Sequence, residues 1–282
     1  MTVEEIYRTS LARLLPKYGE AEATAITREA LSHFLGMTPV DIVLKGDFQP
    51  GASTTDLIDT AIKRVEDGEP IQYVTGESWF HGLKLNVTPD VLIPRKETSQ
   101  LVDIIEQDWK GRENLNIIDI CSGSGAIAIA LSRALPFSTI TGVEISEKAV
   151  AVARKNAKKL KCDIRWIEAD ILNTDFKLNG EYDIIVANPP YIPHKDLALV
   201  DENVLKYEPH EALFVPDQEP VIFYQVIAGL SESHLAAKGK IYFEINPDYA
   251  NDIKRIMEHH GFTDVTIEKD FAGKNRFIIA CR

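Results

Sequence analysis

The stretch LNIIDICSGSGAIAIAL, residues 115–131, sets a near-continuous apolar run against a glycine-rich turn and a second apolar run. It reads as strand, turn and helix, and the absence of polar alternation in LNIIDIC is what a strand covered on both faces requires. Runs of the same kind return in TITGVEI (139–145), CDIRWIEA (162–169), YDIIVAN (182–188) and KIYFEIN (240–246). Helical stretches such as SEKAVAVARKNAKKL (146–160) separate them. This alternation predicts an α/β fold, a doubly wound and mostly parallel sheet. TDVTIEK (263–269) and NRFIIAC (275–281) are parted only by a turn around Ala272-Gly273 and are expected to pair antiparallel. Ligands of such sheets bind beyond the carboxyl ends of the strands, so the chemistry is sought there.

At the first of those ends stand Cys121, Ser122, Gly123, Ser124 and Gly125. Gly123 and Gly125 admit positive φ and let a ligand approach the backbone, and the next helix aims its free N–H groups into the same space. Glu144 ends the following strand, nineteen residues beyond Gly125. A carboxylate there can accept hydrogen bonds from both hydroxyls of a ribose. Turn and acid together predict a nucleoside cofactor. Its identity stays open here, because Gly123, Gly125 and Ala128 also satisfy the G-x-G-x-x-G/A pattern of nicotinamide enzymes.

Asn188-Pro189-Pro190-Tyr191 directly follows the buried run YDIIVA. A polar Asn at a strand's carboxyl end faces the ligand crevice. Two prolines fix φ and remove N–H groups, so the Asn188 and Pro189 carbonyls are free to face a substrate. Tyr191 offers a flat ring against which a planar group can stack. The set suits a planar NH2 on an sp2 carbon, either an amide or the exocyclic amine of a base. A nicotinamide oxidoreductase would have no use for it.

Upstream, the first seventy residues read as helix. Apolar residues recur at helical spacing from Val3 to Leu15, from Ile26 to Leu35, and from Leu57 to Val65, which predicts a small bundle of amphipathic helices. The segment QYVTGESWFHGLKLNVTPDVLIP, residues 72–94, is rich in β-branched and aromatic residues around His81-Gly82 and is expected to form a hairpin between two domains. The expected division is a helical docking domain over 1–71, a hairpin linker over 72–94 and a catalytic domain over 95–282.

Composition narrows the classes. Hydrophobic residues make up 45% and charged residues 26%, with 31 Lys and Arg against 43 Asp and Glu and a formal charge of −12. Nucleic-acid binders draw on phosphate neutralisation, so direct nucleic-acid binding is not expected, and the basic run KNAKKLK (155–161) reads as a solvated helix face. No run reaches the roughly 18 apolar residues of a membrane span. The start, MTVEEIYRTSLARLL, carries acids where a signal peptide needs bases, so a cytoplasmic protein is expected; a monomer is expected as well. Cys121, Cys162 and Cys281 lie far apart, and His81, His194, His210 and His259-His260 are scattered. No metal site is predicted from them.

With these residues in hand, the sequence resembles the class I S-adenosylmethionine-dependent methyltransferases that act on amino groups, which share D-x-x-x-G-x-G, a strand-end acid and N-P-P-Y. QYVTGESWFHGLKLNVTPDVLIPRKET (72–98), YEPHEAL (207–213) and IYFEI (241–245) are similar to the peptide chain release factor glutamine methyltransferases, the HemK/PrmC family. The resemblance implies a Rossmann-like fold and S-adenosyl-L-methionine as cofactor. It implies methylation of the glutamine amide in the Gly-Gly-Gln loop of release factors as the reaction, with those factors as the protein partner. It puts the cofactor on Cys121, Ser122, Gly123, Ser124, Gly125, Glu144, Asp170, Ile171 and Asn188. The substrate amide falls on Asn188, Pro189, Pro190 and Tyr191, of which Asn188, Pro189 and Tyr191 carry the catalysis. The chain departs from the family at Cys121-Ser122, where Gly-Thr is usual, and at Lys96 and Ser99, where Pro and an acid are usual. The resemblance leaves open what Arg95 and Glu97 do, a cofactor-side contact being the expectation. An amino-methyltransferase of adenine or cytosine is the alternative reading of N-P-P-Y, and a non-catalytic binding module would use the helical domain alone.

Overall fold

In the computed structural model, which describes residues 1–282, the chain divides into two separately packed units, Met1–Glu77 and Ser78–Arg282. The first is helical because each apolar stripe hides against the others. α1 (Val3–Leu35) begins at Thr2, whose Oγ1 accepts from the Glu5 N–H while the Glu5 carboxylate accepts from the Thr2 N–H, a reciprocal cap. It breaks at Gly19 (φ 69°, ψ 176°), so the first two predicted stripes are the two arms of one broken helix. α2 (Pro39–Leu44), α3 (Ala52–Glu66) and α4 (Ile71–Thr75) complete the unit around Ile6, Leu14, Ile26, Leu31, Ile58 and Ile62. Leu15 and Leu57, assigned to the stripes by spacing, are exposed. Each is one residue, about 100° of helix, from the neighbour that points inward, Leu14 or Ile58.

Gln72–Thr75, expected as the start of a hairpin, are helical and belong to α4. Ile71 and Val74 are buried in the first unit's core, and that burial outweighs the β-propensity of the segment. The hairpin is the shorter pair β1 (Glu77–Phe80) and β2 (Leu83–Asn86). It turns at His81 and Gly82, both at positive φ, as a two-residue hairpin turn requires. Phe80 and Leu85 are buried in the core of the second unit.

That unit continues with α5 (Lys96–Trp109), β3 (Asn116–Ile120), α6 (Ala126–Ala134), β4 (Thr139–Glu144), α7 (Glu147–Leu160), β5 (Ile164–Glu168) and β6 (Tyr182–Ala187). Two-residue strands β7 (Ile192–Pro193) and β8 (Phe214–Val215) pair with each other, with α8 (Glu202–Tyr207) between them. α9 (Ile222–Ser231), β9 (Leu235–Glu244), α10 (Ala250–His259), β10 (Thr263–Lys269) and β11 (Asn275–Cys281) follow. The main sheet has seven strands in the order β10-β11-β9-β6-β3-β4-β5. Only β11 runs against the rest, pairing antiparallel with both β10 and β9.

Successive strand residues feed opposite layers. Ile117, Ile184 and Tyr242 pack in one layer with Leu101, Ile105 and Ile129 of α5 and α6. Ile118, Ile185 and Phe243 pack in the other with Tyr224, Ile227, Ile253 and Met257 of α9 and α10. In β3, β4, β6 and the second half of β9 the apolar runs are therefore strands covered on both faces, whereas β5, at the edge of the sheet, leaves Arg165 and Glu168 exposed. From β3 the chain winds outward to β4 and β5, then returns to place β6 on the other side of β3. The carboxyl ends of β3 and β6 thus flank the switch point, where such sheets bind ligands.

Candidate active site

A cavity opens over those carboxyl ends. The turn after β3 supplies Cys121, Ser122, Gly123 and Ser124 to its lining, and Glu144, Asp170, Ile171, Asn188 and Pro190 come from the ends of the other strands. The turn is braced from beneath. Ser122 donates its N–H to the Val143 carbonyl (3.1 Å) and its hydroxyl to the Asp119 carbonyl (2.8 Å), and Gly125 N–H reaches the Ser122 carbonyl (2.8 Å). Cys121 sits at φ 62° and Gly123 at φ 52°. At Cys121, where the resembling family has glycine, an L side chain occupies a backbone conformation that costs about 1–2 kcal/mol. A Cβ built on Gly123 would meet no atom within 4 Å, which leaves the backbone open to a ligand.

Gly125 serves differently. It does not line the cavity, and a Cβ there would lie 2.7 Å from Trp166 Cη2. Gly142, its companion on β4, would bring a Cβ 2.3 Å from Trp166 Cζ3. The indole of Trp166, opposite Gly142 on β5, fills the room that both glycines leave. Spacing alone gives no sign of this role.

Glu144 points back toward the turn. Its Oε2 accepts from Gly123 N–H (2.8 Å), and its Oε1 from Ile145 N–H (2.9 Å) and Ser146 N–H (3.1 Å). Burial pushes its pKa up and the three N–H donors pull it down, with burial the larger. A carboxylate has about four lone-pair positions, so one stays available for a ligand hydroxyl. Asp170 is set by the Leu172 N–H, which donates to its Oδ1 at 2.9 Å. Beneath the turn, Asp119 is fully buried; its Oδ2 accepts from Ala128 N–H (3.2 Å) while Oδ1 has no partner. Burial, with the charge of Glu144 as a smaller cause, raises its pKa to about 7.

The Asn188–Tyr191 segment lies where two cavities meet. The second is lined by Pro189 and Tyr191 and shares Leu92, Arg95, Asn188 and Ala212 with the first. Asn188 Nδ2 donates to Thr98 Oγ1 (3.2 Å), Thr98 Oγ1 donates to Glu244 Oε2 (2.6 Å), and Tyr191 OH donates to Glu244 Oε1 (3.2 Å). The tyrosine is thereby tied by its hydroxyl rather than left as a loose stacking plate, and burial raises its pKa further above the usual range. Thr98 and Glu244 were not foreseen as site residues. They lie 146 positions apart, and only the tertiary fold joins them.

Arg95 also faces both cavities and pairs with the buried carboxylate of Glu208 (2.6 Å), which accepts from the Ile93 N–H as well (3.2 Å). The pair joins the segment after the hairpin to YEPHEAL. Lys96 and Glu97 are exposed and line neither cavity.

The open backbone at Gly123, the strand-end acids and the free amide edge of Asn188 form a chemically fitting set for a charged nucleoside with an adjoining amide-bearing substrate. Comparison with known proteins points the same way. Residues 96–207 match the methyltransferase small domain, and residues 7–76 match the PrmC N-terminal domain. Among solved structures, a methyltransferase from Pyrococcus furiosus superposes with a TM-score of 0.51 at 19% identity, over 71% of this chain and 89% of that one. A 16S rRNA N2 G1207 methyltransferase of T. thermophilus, in complex with AdoMet and guanosine, gives 0.52 at 16% identity, over 73% and 49%. These two likenesses show the fold. The release factor glutamine methyltransferase of Flavobacterium psychrophilum is 38% identical over 96% of each chain. That of Bacteroides thetaiotaomicron is 39% identical over 94% of this chain and 95% of its own. At that identity over nearly the whole length, with both units matched by their own domain models, the chain belongs to the release factor glutamine methyltransferase family.

Proposed function

We propose that the protein transfers a methyl group from S-adenosylmethionine to the side-chain amide nitrogen of a glutamine in a translation release factor. The observation that carries this reading is the position of Asn188 and Pro189, with Asn188 on the lining of both cavities and Pro189 on the second. The first cavity, with Glu144 for a ribose and Gly123 open beside it, suits the cofactor. Asp170 and Ile171 would flank its base. The second, with Leu199, Val200 and Val204 on its lining, suits a peptide segment carrying the glutamine.

When bound, S-adenosylmethionine supplies a methyl group activated by its sulfonium. The chain's own task is to make a poor nucleophile react, because an amide lone pair is delocalised into its carbonyl. Asn188 Oδ1 and the Pro189 carbonyl are acceptors for the two amide protons, holding the nitrogen toward the first cavity. Orientation of this kind is worth about 7–11 kcal/mol of barrier, and the fixed acceptors stabilise positive charge as it grows on nitrogen. The net charge of −12 favours a protein over a nucleic-acid substrate.

The test is mass spectrometry of release factor incubated with the protein and isotope-labelled cofactor. Label on the glutamine of its Gly-Gly-Gln loop is expected. Label on DNA or RNA with none on protein would overturn the assignment in favour of a base amine.

A further inference from the structure

We propose that Thr98 and Glu244 are positioning residues that fix which atom of the Asn188 amide faces the substrate. The inference rests on the function proposed above and deepens it. An amide side chain has an oxygen and a nitrogen of nearly equal size, so the shape of its pocket cannot choose between them. Only the acceptor oxygen is useful against a substrate NH2, since the opposite orientation would set donor against donor.

Counting protons settles the choice. Glu244 ends β9 with its carboxylate buried, at 1% exposure. It takes one hydroxyl on each oxygen, Thr98 on Oε2 at 2.6 Å and Tyr191 on Oε1 at 3.2 Å. An ionised carboxylate only accepts, and a hydroxyl has a single proton to give. With that proton committed to Glu244, Thr98 Oγ1 can only accept from its other neighbour, Asn188, at 3.2 Å. Asn188 therefore turns its NH2 to Thr98 and its Oδ1 away, toward the cavities it lines. No protein group donates to that oxygen.

The frame around this relay is itself held. Tyr224 OH donates to the Glu244 carbonyl at 2.9 Å and Asn246 Nδ2 donates to the Tyr191 carbonyl at 3.2 Å. Burial raises the pKa of the Glu244 carboxyl, and the Thr98 hydroxyl, the charge of Arg276 and the Tyr191 hydroxyl act against it to favour the ionised form. Thr98 comes from the first turn of α5, Glu244 from β9 and Asn188 from the end of β6. Three elements thus converge on one amide, and both ends of the N-P-P-Y segment are tied to a single carboxylate.

The test compares wild type, Thr98→Val, Thr98→Ser and Glu244→Gln in the full chain. It uses steady-state methylation of a release factor and calorimetric titration with S-adenosylmethionine. Thr98→Val frees the amide to adopt either orientation and is expected to lower kcat by about 100-fold, the scale of a misplaced reacting group, with cofactor affinity little changed. Thr98→Ser keeps the hydroxyl and is expected to restore turnover. Glu244→Gln introduces a donor that breaks the one-way relay, so kcat falls again while cofactor still binds. Wild-type turnover by Thr98→Val, or a Thr98→Ser variant as damaged as Thr98→Val, would overturn the proposal. So would a loss of cofactor affinity in step with kcat in both Thr98→Val and Glu244→Gln. If the wild-type protein methylates no release factor, the proposed function fails, and the orientation is judged separately by NMR. A nuclear Overhauser contact between the Asn188 side-chain NH2 protons and the Thr98 side chain is expected, and its absence in the wild type overturns the assignment.

Discussion

The N–H of Gly123 and Oε2 of Glu144 stand 2.8 Å apart, so the acid expected to hold a ribose also braces the glycine turn. Glu144→Ala removes both services. Hydrogen bonds to a charged acceptor are worth roughly 1.5–3 kcal/mol, so the cofactor Kd is expected to rise by about 10- to 100-fold in calorimetry. NAD should bind more weakly than S-adenosylmethionine, and the reverse order would refute the cofactor assignment.

Asn188→Ala separates holding the cofactor from using it. Loss of one preorganised polar contact costs about 10²–10³-fold in turnover. Cofactor affinity should change much less, and Pro189-Pro190 should keep the turn. Wild-type turnover of a glutamine substrate by this variant would reduce N-P-P-Y to a structural turn.

Deleting Met1–Glu77 should leave cofactor affinity close to that of the full chain, because every residue lining the first cavity lies in Ser78–Arg282. Methylation of a whole release factor should fall, as expected if the helical unit docks the protein substrate. A folded truncation with undiminished activity would assign that unit to packing alone.

Asp119 should make stability depend on pH. Its pKa rises from the ordinary 3.8 to about 7 in the folded chain because it is buried. Between those values the unfolded chain has released the proton that the folded one keeps, so the contribution of Asp119 to stability is fully present below about 4 and is lost as pH climbs to about 7. At about 1.4 kcal/mol for each tenfold step, the contribution is on the order of 4 kcal/mol. Urea unfolding midpoints should show this slope in the wild type, and Asp119→Asn should flatten it. An equal slope in both proteins would acquit Asp119.

Gly142→Ala should destabilise the second unit, since the new Cβ would lie 2.3 Å from Trp166 Cζ3. Overpacking of this kind costs about 1–3 kcal/mol. Adding Trp166→Phe should recover part of the loss in thermal unfolding. No recovery would mean that the clash lies elsewhere.

The sheet could be read from the chain because its central strands are buried on both faces, which writes them as unbroken apolar runs such as YDIIVA. The order of the chemistry-bearing turns followed from where those runs end. Other features depended on packing that no local pattern records. Gln72–Thr75 carry β-forming residues, yet Ile71 and Val74 are buried in the helical unit and the segment coils. Gly125 reads as a ligand glycine, but its neighbour is Trp166, a residue forty-one positions further on. Thr98 looks like an ordinary residue in a first helical turn, and Glu244 like an odd acid in an apolar strand. Their meaning lies in the 2.6 Å between them.

The two cavities share Leu92, Arg95, Asn188 and Ala212 and otherwise have separate walls. Under the proposed function, the small and the large reactant would have distinct seats with one common threshold. A single synthetic molecule carrying an adenosine portion and an amide tail, joined at the length of that threshold, would occupy both seats at once. Its second half would be presented at an effective concentration in the millimolar range, the usual gain from a short flexible connection. Such a molecule would select for the junction itself, a feature that a binder of either seat alone cannot sense.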